Sequence, residues 1–208
     1  MIDLYTWRSP NGDKVRIMLE ECELDYSVRT IDLGRDEQRD PDFLAISPNG
    51  KIPAIVDHDG PGGGPISIFE SGAILLYLAD MTGRLMPTEP RRRWQVVEWL
   101  MLQMSGIGPM FGQLGHFLYS APEPAPTAVE RFSTEVQRLA SVLDRRLQGR
   151  DFLVDDYSIA DIACFPFIAR HERFGIDLDE LPELGRWLDA IAARPAVRRA
   201  VSAIDAAG

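Results

Sequence analysis

Ser47-Pro-Asn-Gly-Lys-Ile-Pro-Ala-Ile-Val-Asp57 is followed shortly by Phe69-Glu-Ser-Gly-Ala-Ile-Leu-Leu-Tyr-Leu78. Pro48-Asn49-Gly50 is turn chemistry, because proline fixes φ while asparagine and glycine tolerate positive φ. Ile52-Pro53 then stands directly before Ala54-Ile55-Val56, an apolar run that reads as a short buried strand. Proline removes one donor from a ladder, so it belongs at a strand's first residue or at an edge. A cis Ile52-Pro53 bond, a minority geometry, would turn the N–H and C=O of Ile52 away from the sheet. They would then be open to an extended peptide.

In the second stretch, Ser71 sits between a strand, Ile66 to Phe69, and a helix with apolar positions at Ile74, Leu75, Tyr77 and Leu78. Serine is a preferred N-cap. A helix N-terminus with free N–H groups and a positive dipole end suits a carboxylate. Two readings stand together: a carboxylate site beside an extended-peptide site, or a plain cap after a plain loop end.

Working outward, Ile2 to Thr6 alternates as a first strand, and Trp7 to Gly12 reads as a polar loop. Val15, Ile17, Met18, Leu19 and Cys22 mark a helix ending near Leu24. Tyr26 to Asp32 reads as a second strand, and Asp40 to Leu44 as a short helix with proline in its first turn. The two strands around the glycine-rich Asp57 to Pro65 tract form a hairpin. That tract joins two strands and precedes no helix, so it is not a phosphate cradle. The order β-α-β-α-β-β-α predicts a mixed four-stranded sheet in an α/β layer of thioredoxin-like type over residues 1–81.

Residues 82–90 carry the breakers of a linker, and 91–208 read as all-α. Trp94, Val97, Leu100, Met101 and Met104 keep helical spacing until Gly106-Ile-Gly-Pro109 bends or interrupts it. A long helix is predicted from about Thr127 to Leu147. Ser158-Ile-Ala-Asp161 is an acidic capping box ahead of a helix, Ile159 to Ile168, apolar nearly all round and so buried. Two last helices follow from Leu181 and Arg194, with a frayed tail from Ala203 to Gly208.

A chain of 208 residues with 45% hydrophobic residues can bury one large core or two small ones. A formal net charge of −10 argues against nucleic acid or an anionic membrane as the main partner. No apolar run reaches the ~18–20 residues that a membrane span needs. Met-Ile-Asp-Leu-Tyr at the N-terminus is not a signal peptide, which makes a cytoplasmic setting the expectation. Cys22 and Cys164 lack a CxxC spacing and read as buried reduced thiols. His58, His116 and His171 are scattered, so no metal site is expected.

The two opening stretches resemble the glutathione site of the glutathione transferase family, and the capped core helix extends the resemblance into the second half. It is nearest to the bacterial nu-class, the glutathione-dependent disulfide-bond reductases. Tyr-Thr-Trp at 5–7, Ser-Pro-Asn-Gly at 9–12, Asp36-Glu-Gln38, Gly-Pro-Met-Phe-Gly-Gln at 108–113, Glu-Arg-Phe at 130–132 and Tyr-Ser-Ile-Ala-Asp-Ile-Ala at 157–163 are similar to that branch. The resemblance implies a fold of a thioredoxin-like domain plus a helical bundle, with glutathione as substrate or bound redox partner. Carried over, Asn11 faces the glutathione sulfur, helped by Ser9 in a position where that branch has threonine. Gln38 reaches a carboxylate end, Lys51 and Ile52 border the cysteinyl unit beside Pro53, and Glu70 and Ser71 hold the γ-glutamyl end. Arg131 reaches in from the helical half.

The chemistry requires a thiolate. At a free pKa near ~8.5 only about 3% of a thiol is ionised at pH 7; lowering it two units makes about three quarters thiolate and takes about 2.7 kcal/mol. Helix N-terminal donors can supply that. A glutaredoxin-like protein would carry cysteine near residue 9; this chain has Ser9 and Asn11, which can donate, or can simply form turn and cap. Mid-strand Tyr5 reads as core. Three functions follow. The first is disulfide reduction by bound glutathione without a protein cysteine. The second is conjugation of glutathione to a small electrophile in a pocket lined from Gly108 to Tyr119, and the third a non-catalytic binding module. The resemblance also implies a homodimer.

Overall fold

Period-two alternation puts Leu4 of β1 (Ile2–Thr6) in the interior, opposite Val28 of β2 (Tyr26–Thr30) and Ile55 of β3 (Ala54–Asp57). With β4 (Ile66–Phe69) these strands form, among the described residues, a four-stranded sheet of order β2-β1-β3-β4. β2 runs parallel to β1, and β3 and β4 run antiparallel to their neighbours. The mixed sheet expected from the sequence is therefore present. This computed structural model describes the backbone of residues 1–206 and the side chains of residues 1–201. Of the expected frayed tail, residues 203–206 have helical backbone and residues 207–208 lie outside those limits.

The sheet belongs to the first of two compact units, Met1–Arg84 together with the chain from Arg194 onward. Helices α1 (Pro10–Glu21), α2 (Pro41–Ile46) and α3 (Ser71–Thr82) complete it with α9 (Pro195–Ala206). Val15, Ile17, Met18 and Leu19 of α1 and Ile74, Leu75 and Leu78 of α3 are fully buried with Leu4 and Ile55. Each such side chain contributes about 1.5–3 kcal/mol of apolar burial.

Several boundaries differ from the sequence reading, each for a local reason. α1 begins at Pro10, so Asn11 and Gly12 lie in its first turn rather than in a loop. It ends at Glu21 rather than Leu24: Glu23 takes a φ of 56°, and the Leu24 N–H turns back to Leu19 O at 3.0 Å. That is a Schellman closure with glutamate where glycine is usual. β2 stops at Thr30 rather than Asp32, because the Asp32 carboxylate caps a 3-10 turn over Leu33–Arg35. α3 runs on to Thr82 and is closed by Gly83, so the stretch expected to be linker begins as helix. The units part between Arg84 and Leu85.

The final helix also departs from the expected 91–208 division. Arg194 donates to both oxygens of Glu21 at 2.6 and 2.9 Å, and Arg199 donates to Glu20 at 2.7 Å. Two adjacent carboxylates at the end of α1 thus fasten α9 to the first unit.

The second unit, Leu85–Ala193, contains α4 (Pro90–Leu102), α5 (Gly108–Tyr119), α6 (Pro126–Leu147), α7 (Ile159–Ile168) and α8 (Pro182–Ala192). The expected interruption at Gly106 to Pro109 is a π-helical stretch over Gln103–Ile107. Every residue of α7 is buried, and the capping box forms as predicted. The Leu85 carbonyl accepts from Ile159 N–H at 3.0 Å, which ties the start of this unit to the start of α7. No helix among the described residues is long and apolar enough to cross a membrane.

Candidate functional site

Three chain segments converge at one end of the first unit's sheet, and the ladder register shows why. Ala54 pairs with Tyr5 on one side and with Phe69 on the other. One residue further out, Pro53 therefore comes level with the end of β1 and with Glu70. The turn leading to α1, the Ser47–Pro53 turn and the start of α3 share that end.

The Ser47–Pro53 turn is fixed by its own polar groups. Gly50 N–H donates to Ser47 O at 2.8 Å, and the buried Ser47 hydroxyl donates to Lys51 O at 2.8 Å. Gly50 has a φ of 61°, and a Cβ there would lie 3.2 Å from Gln38 O, so the backbone around Gln38 rests against this turn. The Ile52-Pro53 bond is cis. Ile52 takes part in no ladder, and no backbone hydrogen bond of Ile52 occurs among the described residues. Pro53 is buried, Ile52 is half-buried and Lys51 is exposed.

At the second segment, Ser9 is the N-cap of α1: its backbone is extended, and its Oγ accepts from Gly12 N–H at 3.0 Å. Pro10 fills the position whose N–H would be unpaired in any case. A side chain at Gly12 would collide with Thr6 Oγ1 and lie 2.9 Å from Trp7 O, so the turn from β1 into α1 closes only around glycine. Asn11 occupies the second helical position, half-buried, and its amide makes no hydrogen bond among the described residues. This leaves an amide donor at the positive end of α1.

The third segment corrects the sequence reading. Ser71 is not the N-cap of α3; Glu70 is, with φ 70° and ψ 115° and no side-chain cap bond. A positive φ on a non-glycine residue is uncommon and costs of order 1–3 kcal/mol. Ser71 is the first helical residue, 3% exposed, and its Oγ accepts from Lys14 Nζ at 3.2 Å. Glu70 is exposed.

Gln38 lies in a 3-10 turn over Glu37–Arg39. Its Nε2 donates to Asp36 Oδ1 at 2.9 Å, while its Oε1 is buried without a partner. Arg131 lies on α6 of the second unit and is exposed. Tyr5 packs as core: its ring centre is 6.3 Å from that of Phe43, in a cluster with Ile31 and Ala54.

Neither thiol belongs to this corner. Cys22 is buried at the far end of α1, ~16 Å along the axis from Asn11. Burial pushes its thiol up, against a lowering contact with Thr82 Oγ1 at 3.6 Å. Cys164 is buried within α7. Among the described residues no three His, Cys, Asp or Glu side chains gather as a metal would require.

One side chain at this corner escapes the sequence reading. Lys14 lies three residues after Asn11, hence on the same helix face, in a helix that also carries the charged Asp13, Arg16, Glu20 and Glu21. Its burial shows only once α3 is in place, so the sequence carries no signal for it.

Comparison with known proteins agrees with this geometry. Residues 8–81 match the glutathione S-transferase N-terminal domain, and residues 107–195 match the C-terminal domain. The chain is 50% identical over 203 residues to the disulfide-bond oxidoreductase YfcG of Escherichia coli K12, covering 97% of this chain and 94% of that protein. It is 37% identical to YghU of the same organism, covering 95% and 73%. A Pseudomonas putida glutathione transferase, with one glutathione disulfide bound per subunit, superposes with a TM-score of 0.92 at 45% identity over 96% of this chain and 90% of that one. A Pseudomonas fluorescens family member with two glutathione bound gives a TM-score of 0.91 at 46% identity, covering 96% and 91%. Sheet topology, capped core helix and site corner all accord with these matches: the chain belongs to the glutathione S-transferase family.

Proposed function

We propose that this protein reduces disulfides with glutathione and takes no electrons from its own cysteines. One observation carries the reading. The helix start where a thiol would serve redox chemistry holds Ser9, Pro10 and Asn11, while both cysteines are buried elsewhere. The name of the Escherichia coli relative and the glutathione or glutathione disulfide in the Pseudomonas structures support it.

In this reading residues 1–81 bind glutathione. Ile52 offers its main chain to the cysteinyl unit beside Pro53, with Lys51 at the rim. Glu70 takes the γ-glutamyl ammonium, Ser71 the γ-glutamyl carboxylate, and Gln38 a carboxylate end. Asn11 donates to the sulfur, with the Ser9 hydroxyl as second donor, and the positive end of α1 favours thiolate over thiol.

The glutathione thiolate attacks one sulfur of a disulfide, and the other sulfur leaves as thiolate and takes up a proton. A second glutathione thiolate attacks the glutathione sulfur of the mixed disulfide and releases the second thiol. Two glutathione thiols are oxidised to one glutathione disulfide, and two electrons pass to the substrate. A cytoplasm that keeps glutathione reduced is the natural setting, and a homodimer is the assembly that the family resemblance implies.

The test is a comparison of rates. Glutathione-dependent reduction of 2-hydroxyethyl disulfide, followed as glutathione disulfide formed, should exceed conjugation of 1-chloro-2,4-dinitrobenzene. The reverse ranking would make the protein a conjugating transferase, and affinity without either turnover would make it a binding module.

A further inference from the structure

Ser47 is 0% exposed, and three of its groups make hydrogen bonds of 2.8 Å. Its N–H donates to Phe43 O, its carbonyl accepts from Gly50 N–H, and its hydroxyl donates to Lys51 O. Ser47 closes α2, whose Phe43 packs in the cluster with Ile31, Ala54 and Ile52. It therefore joins the end of α2 to the turn before β3. Proline, asparagine and glycine suffice to reverse a chain, so the hydroxyl bond to Lys51 O is an addition to the turn. Its effect falls on the next peptide unit.

The carbonyl of Lys51 and the N–H of Ile52 belong to one peptide plane. Ile52-Pro53 is the only cis bond among the described residues, so the Lys51–Ile52 unit is trans, with its C=O and N–H on opposite edges. Holding Lys51 O at Ser47 turns the Ile52 N–H away from Ser47. That N–H makes no hydrogen bond among the described residues, while the Ile52 side chain packs against the Phe43 cluster. The plane is thus held at its carbonyl and at the following side chain. Without the Ser47 hydroxyl it is free to rotate through opposed changes in ψ of Lys51 and φ of Ile52. We propose that Ser47 is a positioning residue for glutathione: through Lys51 O it aims the Ile52 N–H at the cysteinyl carbonyl of the tripeptide. The proposal rests on the glutathione reading above and adds a residue and a role to it.

The experiment measures dissociation constants by calorimetry for three ligands. The first is glutathione. The second carries a trans alkene in place of the cysteinyl–glycine peptide bond and so lacks the cysteinyl carbonyl. The third carries an ester oxygen in place of the cysteinyl N–H, whose partner would be the Ile52 carbonyl, on a peptide unit that Ser47 does not hold. The wild-type chain should bind glutathione about 10-fold more tightly than the alkene. Ser47→Ala should weaken glutathione and the ester by about the same 5- to 10-fold, yet bind the alkene within about twofold of wild type. Any loss from the missing glycine N–H of the alkene is common to both proteins and cancels. Ser47→Thr, which keeps the hydroxyl, should restore most of the glutathione affinity. Ser47→Cys, of similar size and with only a weak donor, serves if the alanine variant does not fold.

Three results would overturn the proposal. In the first, the folded Ser47 variant loses all three ligands equally, which is the mark of a merely structural role. In the second, it keeps the wild-type affinity for glutathione. In the third, the wild type binds the alkene as tightly as glutathione. A wild-type chain that binds no glutathione defeats the underlying function as well, and the first titration distinguishes that case.

Discussion

Ser9 Oγ accepts the Gly12 N–H at 3.0 Å, so one hydroxyl both starts α1 and stands at the candidate sulfur position. The bond uses an oxygen lone pair and leaves the hydroxyl hydrogen to donate. Ser9→Ala removes the cap and the donor together. It should lose about 0.5–2 kcal/mol of stability and lower disulfide turnover. Ser9→Thr should retain both. Urea melts and steady-state rates on the two variants check this; a threonine variant as inactive as the alanine one would show that the hydroxyl is not what matters.

Asn11 separates binding from chemistry. Its unengaged amide donates to a charged sulfur more strongly than to a neutral one, so Asn11→Ala should lower kcat by about 10- to 100-fold. KM for glutathione should move by much less. Matching losses in kcat and in glutathione affinity would assign Asn11 to uniform binding instead.

Asp161 is the main polar anchor of the second unit. It is wholly buried and accepts from Leu153 N–H at 2.9 Å, Ser158 N–H at 3.0 Å, Ser158 Oγ at 3.1 Å and Trp187 Nε1 at 2.9 Å. Burial pushes its carboxyl up, with these hydrogen bonds opposing. Asp161→Ala strands several donors and should cost about 3–5 kcal/mol in chemical denaturation, more than the roughly 0.5–2 kcal/mol expected for Ser158→Ala. A loss under about 1 kcal/mol would mean that water replaces the carboxylate.

Two tyrosines set an alkaline limit. Burial, then the neighbouring Glu20 carboxylate, pushes the Tyr26 hydroxyl up to about 12. Burial, then the hydrogen bond to Asp57 at 2.6 Å, does the same for Tyr77, also to about 12. Each folded value lies above the unfolded value of about 10. Their contribution is therefore complete below pH about 10 and is lost as pH rises through about 12. Stability should fall across that window, and Tyr26→Phe or Tyr77→Phe should flatten the fall. Absorbance titration of the native protein should show late-ionising phenols, and Tyr26→Phe and Tyr77→Phe should each remove one of them; a late phase that neither substitution diminishes would contradict the assignment.

Much of the fold was legible because local chemistry and global packing agree. The Ser158/Asp161 box, the all-buried helix after it and the hairpin around the glycine tract form as read. The errors fall where a distant partner overrides local preference. Ser71 reads as a cap, yet Glu70 takes that place with a positive φ, and Ser71 answers to Lys14, 57 residues earlier in the chain. The last helix reads as part of the helical half because Glu20 and Glu21 announce no partner in sequence, although Arg199 and Arg194 find them. At the candidate site, the Ser47–Pro53 turn was readable from its proline, asparagine and glycine, whereas the role assigned to Asn11 rests on the family resemblance. Lys14 was not, because a helical lysine gives no sign of burial until the facing helix is known.

The central claim is that the reactive sulfur belongs to glutathione and never to the chain. Its most direct measurement is glutathione-dependent disulfide turnover by the Cys22→Ala/Cys164→Ala double variant, with circular dichroism confirming the fold. The account predicts a rate within about twofold of wild type. Loss of turnover in a folded, glutathione-binding double variant would contradict it.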